Sequence, residues 1–278
     1  MTPEDHRAVV EARFEVGTFE PLGDGWVCFT YELNGEWIVQ FPRFPIAEAT
    51  TRKQLALLPE LAKELPAEIP VPELVSHDPL CIAYPKIEGE PLDADAALAS
   101  DVPERLGRFL HALHSVAPEL VGWRPIGTDV FREICRGELR ELRERVFPLL
   151  DAAERDRADA MFSAFVDDDD TFRFVTTIAH RDLGPEHVLV HGGELVGVID
   201  WGDVAIGDPA IDLWWIAGHT GFGERVLAAY GGTPDRTFRD RAAFWFRLGP
   251  WHEVTYGLDT GRSAFVRSGL EGVRTRLP

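Results

Sequence analysis

Residues 188–199 constrain this chain more tightly than any other stretch. VLV at 188–190 and LVGVI at 195–199 are apolar and β-branched, and His191-Gly192-Gly193-Glu194 separates them. Two such runs around a glycine pair read as a β-hairpin. Pairing the strands returns the chain to its starting point. His187, just before the hairpin, and Asp200, just after it, must then lie close together, with Asp182 on the loop leading in. Two carboxylates and an imidazole meet at one end of a hairpin.

Such a cluster suits phosphoryl transfer from a nucleotide. One carboxylate orients and deprotonates the attacking hydroxyl, while metal ligands hold a cation on the phosphates. Two other readings compete. His-x-Asp can arise by chance, with Asp200 and Asp208 only capping turns. Alternatively, His180, Asp182, His187 and Asp200 could hold a transition metal in a hydrolase. The order and close spacing of HRDLGPEHVLV, VIDWGD and GDPAIDL weigh against coincidence.

Elsewhere the hydrophobic period changes once along the chain. Thr2 caps an initial helix, with Pro3, Glu4 and Asp5 in its first turn. From 19 to 44 the text is strand-like, with a flexible turn at Gly23 and Gly25 and a hairpin signal at Asn34-Gly35. Three consecutive antiparallel strands are expected. A helix over 47–64 follows, showing Leu55, Leu58, Leu61 and Leu65 on one face and a kink or break at Pro59. LPAEIPVPEL is an extended connector into a strand near 80–84, and YPKIEGEPLD reads as a hinge. Beyond it the pattern is helical, with Leu106, Phe109, Leu110 and Leu113 on one face of a helix over 102–115. Further helices are expected near 130–147, over 152–166 and toward the end. The fold class is therefore α+β and bilobal: an N-terminal lobe at 1–84, a hinge at 85–91 and a larger helical lobe at 92–278.

The formal net charge of −19 argues against nucleic acid and anionic membranes as partners and favours a neutral or cationic ligand. Three scattered cysteines, without a paired spacing, fit free thiols in a reducing compartment. No uncharged run approaches the ~20 residues of a membrane span. A cytoplasmic monomer is expected. Only Lys53, Lys63 and Lys86 are lysines, which leaves few to hold a phosphate.

Taken together, LGDGW…YELNGEWIVQFPR, CIAYPKIEGEPL, LGRFLHALHSV, HRDLGPEHVLV, GVIDWGDVAIGDPAIDL and GLEGVRTRL resemble the aminoglycoside phosphotransferase family. These small-molecule kinases share the protein-kinase fold, and the resemblance is strongest to the 2″-phosphotransferase and macrolide phosphotransferase branch. It implies Asp182 as catalytic base and Asp200 as the chelating Mg²⁺ ligand. His187 takes the second metal position, as elsewhere in that branch. Asp212 would tie down the catalytic-loop backbone, His180 would order that loop, and Asp208 would cap the next helix. ATP or GTP would be the donor, in a cleft around Gly23, Gly25, Gln40, Gln54, Tyr84, Pro85 and Ile87.

Two positions depart from the pattern. Gln40 and Gln54 stand where the family carries a cation and its glutamate partner, and two amides can hydrogen-bond each other instead. Arg43 or Lys53 could then serve the phosphates, or the chain could be a nucleotide-binding pseudokinase. The acceptor implied is a hydroxylated small molecule, an aminoglycoside or another antibiotic such as a macrolide. Asp203, Glu224, Trp251, Glu253 and Phe265 are its candidate contacts. His111 and His114 read as ordinary packed or surface helical histidines.

Overall fold

The computed structural model describes residues 1–23, 27–231 and 236–278. Gly25, assigned above to the nucleotide turn, lies outside the described residues. Helix α1 (Pro3–Glu11) starts at a Thr2 capping box, because the Thr2 side chain and Asp5 satisfy each other's backbone N–H groups. Strands β1 (Phe19–Pro21), β2 (Cys28–Leu33) and β3 (Trp37–Pro42) are the three antiparallel strands expected. Asn34 and Gly35 both adopt positive φ in the β2–β3 turn, as a tight hairpin demands.

Helix α2 (Pro45–Leu61) runs through Pro59 and stops three residues short of the expected end. Its buried face is Leu57, Leu58 and Leu61; Leu55 is only half-buried. The connector after it yields β4 (Glu73–His77), which the proline-rich text concealed, and then β5 (Leu80–Pro85). The five strands form one sheet in the order β1-β2-β3-β5-β4.

After 85 the short β6 (Glu90–Pro91) joins β8 (Val188–His191) and β9 (Glu194–Val198) in a second sheet. The 188–199 hairpin thus forms as expected, with Gly192 and Gly193 both at positive φ in its turn. Strand β7 (Thr177–Ala179) pairs with β10 (Ala205–Gly207). Helices α3 (Val102–Ser115), α4 (Thr128–Val146), α5 (Ala152–Val166), α6 (Phe222–Tyr230), α7 (Phe238–Thr260) and α8 (Ser263–Arg276) complete the larger lobe.

Packing divides the molecule differently from chain order. One core belongs to the first sheet and α1: Val10, Tyr31, Leu33, Val39, Phe41, Cys81 and Ala83. The second, larger core fills the helical lobe and also takes in Leu57, Leu58, Leu61 and Ile69. Helix α2 is therefore rooted in the C-terminal lobe, although it lies between strands of the N-terminal sheet. The connector strengthens this bond. Glu68 exchanges backbone hydrogen bonds with β9, from its own N–H to Val196 O and from Val198 N–H to its O. Gly197 leaves the space this needs, since a Cβ there would sit 2.8 Å from Ile87 Cγ2 and 3.1 Å from the Glu68 carbonyl.

Candidate active site

The hairpin sets the site. Ile199 donates its N–H to the His187 carbonyl at 2.9 Å, closing the ladder and leaving Asp200 beside His187. His187 Nε2 lies 3.6 Å from Asp200 Oδ2, and its Nδ1 lies 3.8 Å from Asp182 Oδ2. Ligand atoms of Asp182, His187 and Asp200 all fall within 4.8 Å of one another. His187 Nδ1–H donates to the Asp182 carbonyl at 2.7 Å, which fixes the tautomer and turns the Nε2 lone pair toward Asp200. An imidazole nitrogen with a free lone pair between two carboxylates, in an open cleft, fits a divalent cation that keeps positions for other oxygens. Magnesium prefers oxygen, so His187 is a weaker ligand than the Asp200 carboxylate.

Desolvation, the largest effect, pushes the Asp182 carboxyl up to about 7. The charges of Asp200, Asp203 and Glu186 add to the rise, and His187 opposes it.

Backbone strain sits at the same place. Arg181 and Asp200 adopt φ of +72° and +61°, the left-handed region that non-glycine residues avoid. Each such residue costs of order 1–3 kcal/mol and persists only where its surroundings enforce it. At Arg181 the enforcing group is the fully buried Asp212. Its carboxylate accepts from His180 N–H at 2.8 Å and from Arg181 N–H at 2.7 Å. His180, also fully buried, donates Nε2–H to Ile199 O at 2.9 Å and accepts from Asp182 N–H through Nδ1. Burial depresses its pKa, and the neutral ring serves as donor on one side and acceptor on the other.

Residues 18–245 match the phosphotransferase enzyme family. The chain belongs to that family. Viomycin phosphotransferase of Streptomyces vinaceus is 29% identical to it over 213 residues, 72% of this chain and 71% of the relative. An aminoglycoside 2″-phosphotransferase solved with GDP and kanamycin superimposes with a TM-score of 0.84 at 24% identity, over 98% of each chain. The macrolide 2′-phosphotransferase of Brachybacterium faecium gives 0.74 at 26% identity, again over 98% of each chain.

In this phosphotransferase the positions expected to take the nucleotide lie on the first sheet and the segment that follows it. Gly23 is exposed with φ of +64°. Gln40 lies on β3 opposite Thr30 and Ile82, Tyr84 ends β5 beside Pro85, and Ile87 packs over Gly197. Burial raises the Tyr84 phenol, and the charge of Asp200 raises it further. The amide pair does not form: among the described residues no hydrogen bond joins Gln40 to Gln54. Nor are the proposed substitutes idle. Arg43 stacks its guanidinium 4.1 Å over Phe29, and Lys53 donates to two carbonyls of the Asp200 loop.

The acceptor candidates scatter. Trp251 is fully buried against Phe147 and Phe162 and is core, which corrects its assignment as a contact. Glu253 accepts from Ser268 across the α7–α8 pair, and Phe265 packs edge-on against Tyr256 there. Asp203 and Glu224 are exposed, Asp203 three residues after Asp200.

Three supporting residues escaped the sequence reading. Trp215 donates Nε1–H to the Leu183 carbonyl at 2.7 Å and so holds the residue after Asp182. His114 is buried and donates Nε2–H to Asp212 Oδ2 at 3.0 Å, while the Tyr230 hydroxyl donates to its Nδ1. Its HALHS spacing was visible, but an i,i+3 histidine pair on a helix does not reveal which member turns inward. Arg241 forms a buried ion pair with Asp208 at 2.8 Å. Asp208 also caps the short 3₁₀ helix Pro209–Leu213, through Ala210 N–H, and so anchors the segment that carries Asp212.

Proposed function

We propose that the chain is a nucleoside-triphosphate-dependent O-phosphotransferase that phosphorylates a hydroxyl of a small antibiotic in the cytoplasm. The observation that carries this reading is the convergence of Asp182, His187 and Asp200 within 4.8 Å at the mouth of the hairpin. His187 and Asp200 would hold Mg²⁺, which supplies charge that neutralises the donor phosphates. ATP or GTP would lie along Gly23, Gln40, Gln54 and the 84–87 segment. There, backbone groups at the end of β5 can pair with a purine without needing particular side chains.

Asp182 accepts the proton of the acceptor hydroxyl. A carboxyl raised above the ordinary carboxylate range is a stronger base than a free aspartate. Its backbone is held from two sides, through its N–H by His180 and through its carbonyl by His187. The net charge of −19 suits a cationic acceptor, and similarity to viomycin phosphotransferase extends the candidates from aminoglycosides and macrolides to peptide antibiotics.

Asp182→Asn tests the role assignment. Transfer should vanish while nucleotide affinity stays within about twofold, because the base meets the acceptor and not the phosphates. Near wild-type turnover would reject it. The pseudokinase reading keeps one supporting observation, the unpaired amides at Gln40 and Gln54.

A further inference from the structure

We propose that Lys53 is a positioning residue that welds helix α2 to the loop behind Asp200 and thereby sets the Asp200 carboxylate. This rests on the phosphotransferase reading of the site. From α2, Lys53 Nζ donates to the carbonyls of Gly202 and Val204, both at 2.9 Å, across some 150 residues of sequence. The loop needs such a hold. It leaves Asp200 at φ +61°, and its own closing contact, from Val204 N–H to Trp201 O, is long at 3.5 Å. Trp201 Nε1 grips the loop's start through Val198 O and β10 pairs with β7 from Ala205 onward, so Lys53 holds the stretch between them, at Gly202 and Val204.

A lysine that only sought charge would turn to Asp203, which is near enough to act on its ammonium. Among the described residues the two make no ion pair. Half-buried, Lys53 instead spends two of its three donors on backbone oxygen, and a charged donor makes such bonds stronger than neutral ones. Those bonds also turn it away from phosphate duty.

The helix beneath it suits the task. Leu57, Leu58 and Leu61 root α2 in the core of the larger lobe, and Glu68 is paired with β9, whose end delivers Asp200. Helix, connector and loop form one framework, whereas Gln40 belongs to a sheet with a separate core. Tying α2 to the Asp200 loop therefore needs no ion pair at the positions of Gln40 and Gln54. The adjacent residue, Lys53, provides the tie.

Hydrogen exchange and calorimetry on Lys53→Met and Lys53→Arg test this. Amides of 201–205 should exchange at least about tenfold faster in Lys53→Met, given two charge-assisted bonds lost, with α2 and β8 unchanged. The gain in nucleotide affinity that Mg²⁺ confers should shrink by a similar factor, while magnesium-free affinity holds. Lys53→Arg, whose guanidinium can span both carbonyls, should recover most of each effect. Unaltered exchange at 201–205, or an even rise throughout the protein, overturns the proposal. An equal loss of affinity with and without Mg²⁺ also overturns it, by making Lys53 a phosphate ligand. A wild type that binds no nucleotide sinks the phosphotransferase reading instead, and the exchange result still decides whether Lys53 holds the loop.

Discussion

His114 and Asp212, 98 residues apart in sequence, meet at 3.0 Å inside the larger lobe, and the carboxylate they share fixes the backbone of His180 and Arg181. A helix assigned to packing thus reaches the catalytic loop through one buried acid.

Asp212→Asn should be destabilising, because an amide cannot accept all three hydrogen bonds. Loss of a buried charged partner is worth about 3–5 kcal/mol. The pH dependence has a definite sign. Burial pushes the Asp212 carboxyl up, but the hydrogen bonds it accepts, from His114 first and from the Arg181 N–H, outweigh it and hold the pKa below 3.8. Its stabilisation is therefore full above pH 3.8 and is lost as pH falls through the depressed folded value. Urea unfolding of both proteins should show a gap at pH 7 that narrows as pH falls below about 4.

Asp200→Ala should separate metal from nucleotide. Removing a chelating oxygen should abolish the Mg²⁺-dependent part of nucleotide affinity and leave magnesium-free binding in place. Calorimetry with and without Mg²⁺ reads the difference directly.

Trp251→Ala should act on stability alone. The side chain is fully buried, so truncation should cost about 3–5 kcal/mol. Acceptor KM, measured well below the lowered melting temperature, should not move.

The amides at Gln40 and Gln54 call for a double-mutant cycle. Gln40→Lys with Gln54→Glu creates an ion pair that spans the two cores. If the site is weak for want of a cation, nucleotide affinity rises by one to two orders of magnitude, the equivalent of about 1.5–3 kcal/mol, and each single change does less. A coupling of zero or opposite sign means the site works without the pair, as the Lys53 contacts favour.

Much of this was legible in the sequence. The 188–199 hairpin was visible because two β-branched runs and a Gly-Gly turn leave few alternatives, and its closure dictates that His187 meets Asp200. Strands β1 to β3 were visible for the same local reason. What escaped was set by tertiary contact. The segment of β4, polar and flanked by prolines, is a strand only because β5 pairs with it. The spacing of leucines in α2 located a buried face but not the core it enters, which is that of the other lobe. Trp251 proved to be core, and His114, packed as one reading allowed, proved to hold Asp212, because aromatic and imidazole side chains carry no mark of which partner their helix turns them toward.

The central claim is transfer of a phosphoryl group by the Asp182 site. The most direct test is to incubate the protein with Mg²⁺, ATP or GTP and, in turn, viomycin, kanamycin and a macrolide, and weigh the products. The account predicts that at least one acceptor gains a single phosphoryl group, and that Asp182→Asn gives none while still binding nucleotide. Bound nucleotide with every acceptor left unmodified, or transfer that survives in Asp182→Asn, would contradict it.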